Sequence, residues 1–221
     1  MKKTGKEKMS QIIFGLLLIS LIIVVGITIR EGFRKPVEHL NRGVILLSEK
    51  KYLAAEQALI RATDSKDKDI VIQASWKLGN LYKNGADGFE VNGRKAELFL
   101  EKAASFGFAP AQYELALLYD VGDKIPENRE KANGWMNLAA QEGLPEALYG
   151  LGVWIERGHF GKVDMEKVIT LYEQAAQKGH LNAMRSLIVL YGDGMGEIPA
   201  DPQKSAYWLN ELKQKMEEKK K

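Results

Sequence analysis

Apolar and polar positions divide the chain into two regimes. Residues 12–29, IIFGLLLISLIIVVGITI, form one unbroken apolar run in which fourteen of eighteen side chains are Ile, Leu, Val or Phe, and no charge occurs from Met9 to Ile29. As a helix this run rises roughly 27 Å, close to the depth of a bilayer core. It is longer than the apolar region of a cleaved signal peptide, and VVGITIREG offers only Gly26 and Thr28 as a poor cleavage match. The pattern therefore predicts an uncleaved transmembrane helix over 11–30 acting as a signal anchor. Beyond residue 36 the apolar positions fall at i, i+3, i+4 and i+7, the spacing of amphipathic helices, broken by Gly-, Asp- and Asn-rich loops.

That helical pattern repeats. QASWKLGNLYKNG from Gln73, PAQYELALLYDVG from Pro110, EALYGLGVWIERG from Glu146 and NAMRSLIVLYGDG from Asn182 align without gaps. Ala74, Ala111, Ala147 and Ala183 recur at 36–37 residues, as do Leu78, Leu115, Leu151 and Leu187. A second block follows each of the first three, with Ala103–Ala104, Ala139–Ala140 and Ala175–Ala176 in register and Gly107, Gly143 and Gly179 placed to end a helix. A two-helix unit of this kind cannot bury its apolar stripe alone, and stacked copies share one continuous core. In the last copy, KSAYWLNELKQKMEEKKK, Trp208 and Leu212 remain but the Ala pair and closing Gly are gone. The expected fold is all-α: a right-handed α-solenoid of about five helix-turn-helix repeats after an N-terminal transmembrane helix.

Charge refines this division. The formal net charge is +3, but residues 1–10 and 213–221 carry +3 each, so the stretch between them nets about −3. A mildly acidic folded body predicts no nucleic-acid partner, since such binding needs clustered Lys and Arg on a folded face. The four Lys of the basic tail, 1–10, favour a cytoplasmic N-terminus, with the bulk on the periplasmic side of a bacterial inner membrane. The charged C-terminal tail, 213–221, reads as a solvated end to the array. The chain has no cysteine, which removes disulfides, thiolate metal sites, cysteine nucleophiles and a lipoprotein anchor.

The repeats resemble Sel1-like repeats, a variant of the tetratricopeptide superfamily, over 66–212. The resemblance rests on Ala74, Leu78, Gly79 and Tyr82, and on Lys131, Ala132, Trp135, Ala139, Ala140 and Gly143. Ala116 and Ile188 stand where Gly79-type glycines are expected, and Ile155 stands where the third copy should have tyrosine. Residues 36–65 are similar to a plain tetratricopeptide unit through Gly43, Tyr52, Ala55, Leu59 and Ala62.

The resemblance implies partner binding on a concave face lined by each unit's first helix. On that face the repeat register places Trp76, Tyr113, Tyr149 and Arg185, then Asn80, Leu117, Val153 and Val189, then Lys83, Asp120 and Glu156. Aromatic residues and Arg are enriched in binding hot spots; the aromatic rungs also suit packing between units. The implied role is a non-enzymatic, membrane-tethered adaptor that binds another protein or an extended peptide and meets the lipid bilayer through its N-terminal helix. Within the family it extends to immunity proteins that neutralise a secreted toxin such as a phospholipase effector. No cofactor, metal or catalytic residue is implied. The alternative is a cell-envelope hydrolase on the same scaffold. Its candidate carboxylate pairs are Glu156 with Asp164 and Asp193 with Glu197, and His159 and His180 lack a nucleophile motif. The glycine-rich loop at Tyr191–Asp201 has no Lys-Ser/Thr and follows a helix, so it reads as a turn.

Overall fold

The computed structural model describes residues 35–159, 161–196 and 198–219. The basic tail and the transmembrane helix expected over 11–30 lie outside the described residues. Among the described residues no helix is long and apolar enough to cross a membrane, and there is no strand; the loops hold two isolated bridges, Ala86 with Phe89 and Met195 with Ile198.

Two compact units are present, and the division falls inside one helix. The first comprises the described residues through Leu78, together with Ala86–Phe89. It contains α1 (residues 35–48), α2 (Tyr52–Ala62) and the beginning of α3 (Lys68–Asn84). Gly43 of α1 meets Leu59 of α2 so closely that an added Cβ would lie 2.6 Å from the leucine side chain. Ala55, Ala58, Leu59, Ala62, Ile70, Val71, Ala74 and Leu78 are buried here.

The second unit holds Gly79–Gly85 and the described residues from Glu90 onward. Its remaining helices are α4 (Gly93–Ala104), α5 (Ala109–Val121), α6 (Arg129–Gln141), α7 (Pro145–Glu156), α8 (Met165–Gln177), α9 (Leu181–Asp193) and α10 (Pro202–Glu218). From α4 to α10 each helix packs on its neighbours in the chain, so the hairpins stack as an α-solenoid.

Local chemistry explains the regularity. Each second helix is capped by a side chain: Asn92, Asn128, Asp164 and Asp201 accept from the backbone N–H groups of Lys95, Lys131, Lys167 and Lys204 at 2.9–3.0 Å. The hairpins turn at Gly107, Gly143 and Gly179, with φ of 81°, 75° and 87°, a region costly for a residue with a Cβ. The paired alanines are buried throughout, which lets successive helices approach closely. In α10 the buried residues are Trp208 and Leu212. The helix then continues through most of the charged tail to Glu218, where Lys215 pairs with Glu218 at 2.8 Å.

Candidate interaction face

The first helices α5, α7 and α9 begin 36 residues apart, so equal positions in each are occupied by corresponding residues. Tyr113, Tyr149 and Arg185 are fifth in their helices; Leu117, Val153 and Val189 are ninth; Asp120 and Glu156 are twelfth. Asn80 and Lys83 belong to the same unit, whereas Trp76 belongs to the first unit, where Lys77 sits 5.6 Å from its ring.

The structure separates these residues into packed and open groups. Tyr149 is packed, its ring 5.1 Å from Tyr172 and 4.6 Å from His180. Tyr113 leans toward α7, where a Cβ at Gly150 would lie 3.6 Å from its ring. Burial, and then the carboxylates of Glu114 and Glu146, push the Tyr113 phenol above its ordinary pKa. The polar members are engaged within the array: Lys83 forms an ion pair with Glu114, Glu156 accepts the Tyr172 hydroxyl proton at 2.6 Å, and Asp120 lies 3.9 Å from His159 Nδ1. The open members are aliphatic and cationic. Val189 is 57% exposed, Arg185 is exposed with its guanidinium on Asn182 at 2.8 Å, and Leu117 and Val153 are half-buried. Val121, one turn beyond Leu117, is 63% exposed and extends this apolar strip. The sequence reading missed Val121, although its i+4 spacing from Leu117 was available.

The hydrolase candidates also resolve. Glu156 is committed to Tyr172, and Glu197 lies outside the described residues. No group of three His, Cys, Asp or Glu among the described residues could hold a metal ion. The Tyr191 loop is a turn with Gly194 and Gly196 at φ of 71° and 60°, closed by the Asp201 N–H on the Tyr191 carbonyl at 2.7 Å.

His180 is the N-cap of α9, its Nδ1 accepting from the Ala183 N–H at 3.2 Å. Burial, opposed in part by the Glu146 carboxylate, lowers its pKa, so the neutral ring is the folded form. A base with a lowered folded pKa contributes fully above its unfolded value of about 6.5, and that contribution is lost as pH falls through the folded value. Stability is expected to drop by about 1 kcal/mol from this cap below pH 6. In urea titrations at pH 7 and 5, His180→Asn should hold the pH 7 value and remove that part of the decline.

A second feature went unread in the sequence. Phenols at the ends of the first helices meet cations of the second helices: Lys95 at 3.2 Å from the Tyr82 hydroxyl, Lys131 at 2.9 Å from that of Tyr119, and Lys204 at 3.4 Å from that of Tyr191. Burial and then the bonds to Glu97 and Glu101 push the Tyr119 phenol far above its ordinary pKa; burial and Glu173 do the same to Tyr191. The recurrence of Asn/Asp-x-x-Lys every 36–37 residues was the available signal.

Comparison with known proteins agrees with this architecture. The Sel1 repeat model matches residues 72–107, 109–144, 145–180 and 183–212. A Sel1 repeat protein from Oxalobacter formigenes is 25% identical, superposes with a TM-score of 0.70, and shares 81% of this chain and 73% of its own. An immunity protein from Pseudomonas aeruginosa has the same fold at 20% identity and a TM-score of 0.54, over 80% of this chain and 66% of its own. Among curated relatives, chitin synthase regulatory factor 2 of Schizosaccharomyces pombe is 29% identical over 106 residues. That alignment spans 48% of this chain but only 21% of the relative.

Proposed function

Because the chain belongs to the Sel1 repeat family, we propose that it captures another protein on the face of α5, α7 and α9 while tethered to the bacterial inner membrane by residues 11–30. The chain is a Sel1-repeat protein-interaction scaffold, and the strip around Arg185 and Val189 is the observation that carries the finer reading. Leu117, Val153 and Val189 offer accessible apolar surface in register, Val121 extends it one turn along α5, and Arg185 adds a fork of donors for a carboxylate or backbone carbonyl. Preformed helices hold these groups in place, so binding costs little ordering entropy.

On this reading the array faces the periplasm and its partner is a secreted toxin that would otherwise damage the membrane. The shared fold with an immunity protein supports that choice, and the apolar segment would keep the scaffold beside the surface to be protected. The test is co-purification from membranes with the full chain carrying Arg185→Glu/Val189→Glu. Both positions are exposed, so the fold should persist; loss of the wild-type partner is expected. A partner retained at wild-type yield overturns the assignment of this face.

A further inference from the structure

The helix nearest the apolar run in the chain, α1, has a divided outer surface. Its inner face, centred on Gly43, packs on Leu59 of α2. With about 3.6 residues per turn, Val37, Asn41, Val44, Ile45 and Ser48 share one contiguous arc of the exposed side, and Lys35, Glu38 and Arg42 share the arc beside it. Val37, Val44 and Ile45 are 41%, 38% and 56% exposed. Their β-branched side chains are poorer helix formers than Ala, Leu or Lys, so neither helix propensity nor burial within the unit accounts for them there. Ser48 already donates its hydroxyl to the Ile45 carbonyl at 2.7 Å. The arc therefore carries no charge, and its one hydroxyl is satisfied without water.

The neighbouring chain indicates what covers this arc. The apolar run ends at Ile29 and α1 begins at residue 35, a reach of at most roughly 20 Å. If the run spans a bilayer, whose polar layer is roughly 5–8 Å deep on each side, α1 starts beside the headgroups. Charge points the same way. Residues 30–62 hold seven Lys and Arg against four Glu, a net +3 inside a stretch, residues 11–212, that nets −3. The part of the chain next to the tether is thus its basic part, which suits a surface of anionic phospholipid. An aliphatic arc bordered by Lys35 and Arg42 is the division expected of a helix lying in a membrane interface.

We propose that α1 lies along the bilayer surface through Val37, Val44 and Ile45, a lipid contact additional to the tether. Acyl chains cover the three aliphatic side chains, and lipid phosphates meet Lys35 and Arg42. The contact sets how the first unit sits on the membrane. It rests on the reading of residues 11–30 as the tether and makes no use of Arg185 or Val189.

The chain has no cysteine, so a single introduced thiol carries a reporter without competition. Full chain with Val44→Cys or Arg42→Cys is labelled with a fluorophore and reconstituted in vesicles of phosphatidylethanolamine and phosphatidylglycerol that contain nitroxide-bearing lipid. The two sites are two residues apart, equally near the tether, on different arcs of α1. The label at 44 should be quenched severalfold more than the label at 42. Adding Val37→Glu, at an exposed position that leaves the fold intact, should remove that excess. Equal quenching at 44 and 42, or an excess untouched by Val37→Glu, would overturn the assignment. Shielding of the label at 44 that disappears when the protein is diluted among the vesicles would also overturn it, placing a second copy on the arc. Flotation with the vesicles separates the two readings. A chain that floats but shows equal quenching keeps the tether and loses the α1 contact, whereas a chain that does not float loses both.

Discussion

Tyr172→Ala is expected to destabilise the array by about 4 kcal/mol, measured by urea denaturation of the full chain. Tyr172 is among the largest fully buried side chains, 1% exposed, on α8. Its ring rests against the backbone of α7: a Cβ on Gly152 would lie 2.6 Å from it. The Tyr149 ring, also on α7, lies 5.1 Å away. Truncation therefore opens a cavity between two helices that the absence of a side chain at Gly152 has fitted to an aromatic ring. The hydroxyl is a smaller matter. It donates to Glu156 in a half-buried setting, and Tyr172→Phe should cost about 1 kcal/mol. If alanine costs no more than phenylalanine, ring packing does not hold α7 to α8.

Gly93→Ala is expected to cost about 3 kcal/mol. Gly93 opens α4, and helix propensity alone would favour alanine there by up to about 1 kcal/mol. The added methyl, however, would sit 2.1 Å from the Lys124 carbonyl oxygen and 2.6 Å from its carbon. Those are backbone atoms of the loop between α5 and α6, and they cannot rotate away as a side-chain tip could. Gly134, within α6, provides the control. Nothing lies within 4 Å of its virtual Cβ, so Gly134→Ala should stabilise by about 0.5–1 kcal/mol. Equal effects at the two glycines would contradict the close approach at Lys124.

The two glycines also show where the sequence could and could not be read. Gly107, Gly143 and Gly179 recur with the period, and the period announced helix ends that the structure contains. Gly93 recurs nowhere: Arg129 occupies the corresponding place one repeat later. Its reason is a neighbouring backbone some thirty residues away, which no local pattern reports. The same limit applies to the candidate face. The repeat register placed Tyr113, Tyr149 and Arg185 on equivalent turns, because helical phase is a local property. It could not separate Tyr149, held between Tyr172 and His180, from Arg185, which stands exposed, because that depends on what the next helix presents. Lys83 likewise read as a surface cation, whereas Glu114, thirty-one residues on, neutralises it. The departure at Ile155 was visible in the sequence as a broken motif.

Capture of a protein on the face of α5, α7 and α9 is read from the affinity of the purified full chain for the partner it captures. Wild type and Arg185→Glu/Val189→Glu should be compared with Leu138→Glu, a charge placed at an exposed apolar position of a second helix. The double variant should bind about 100-fold more weakly, the equivalent of about 2.7 kcal/mol, while Leu138→Glu stays within about twofold of wild type. Undiminished affinity in the double variant, or an equal loss in Leu138→Glu, would place the binding surface elsewhere.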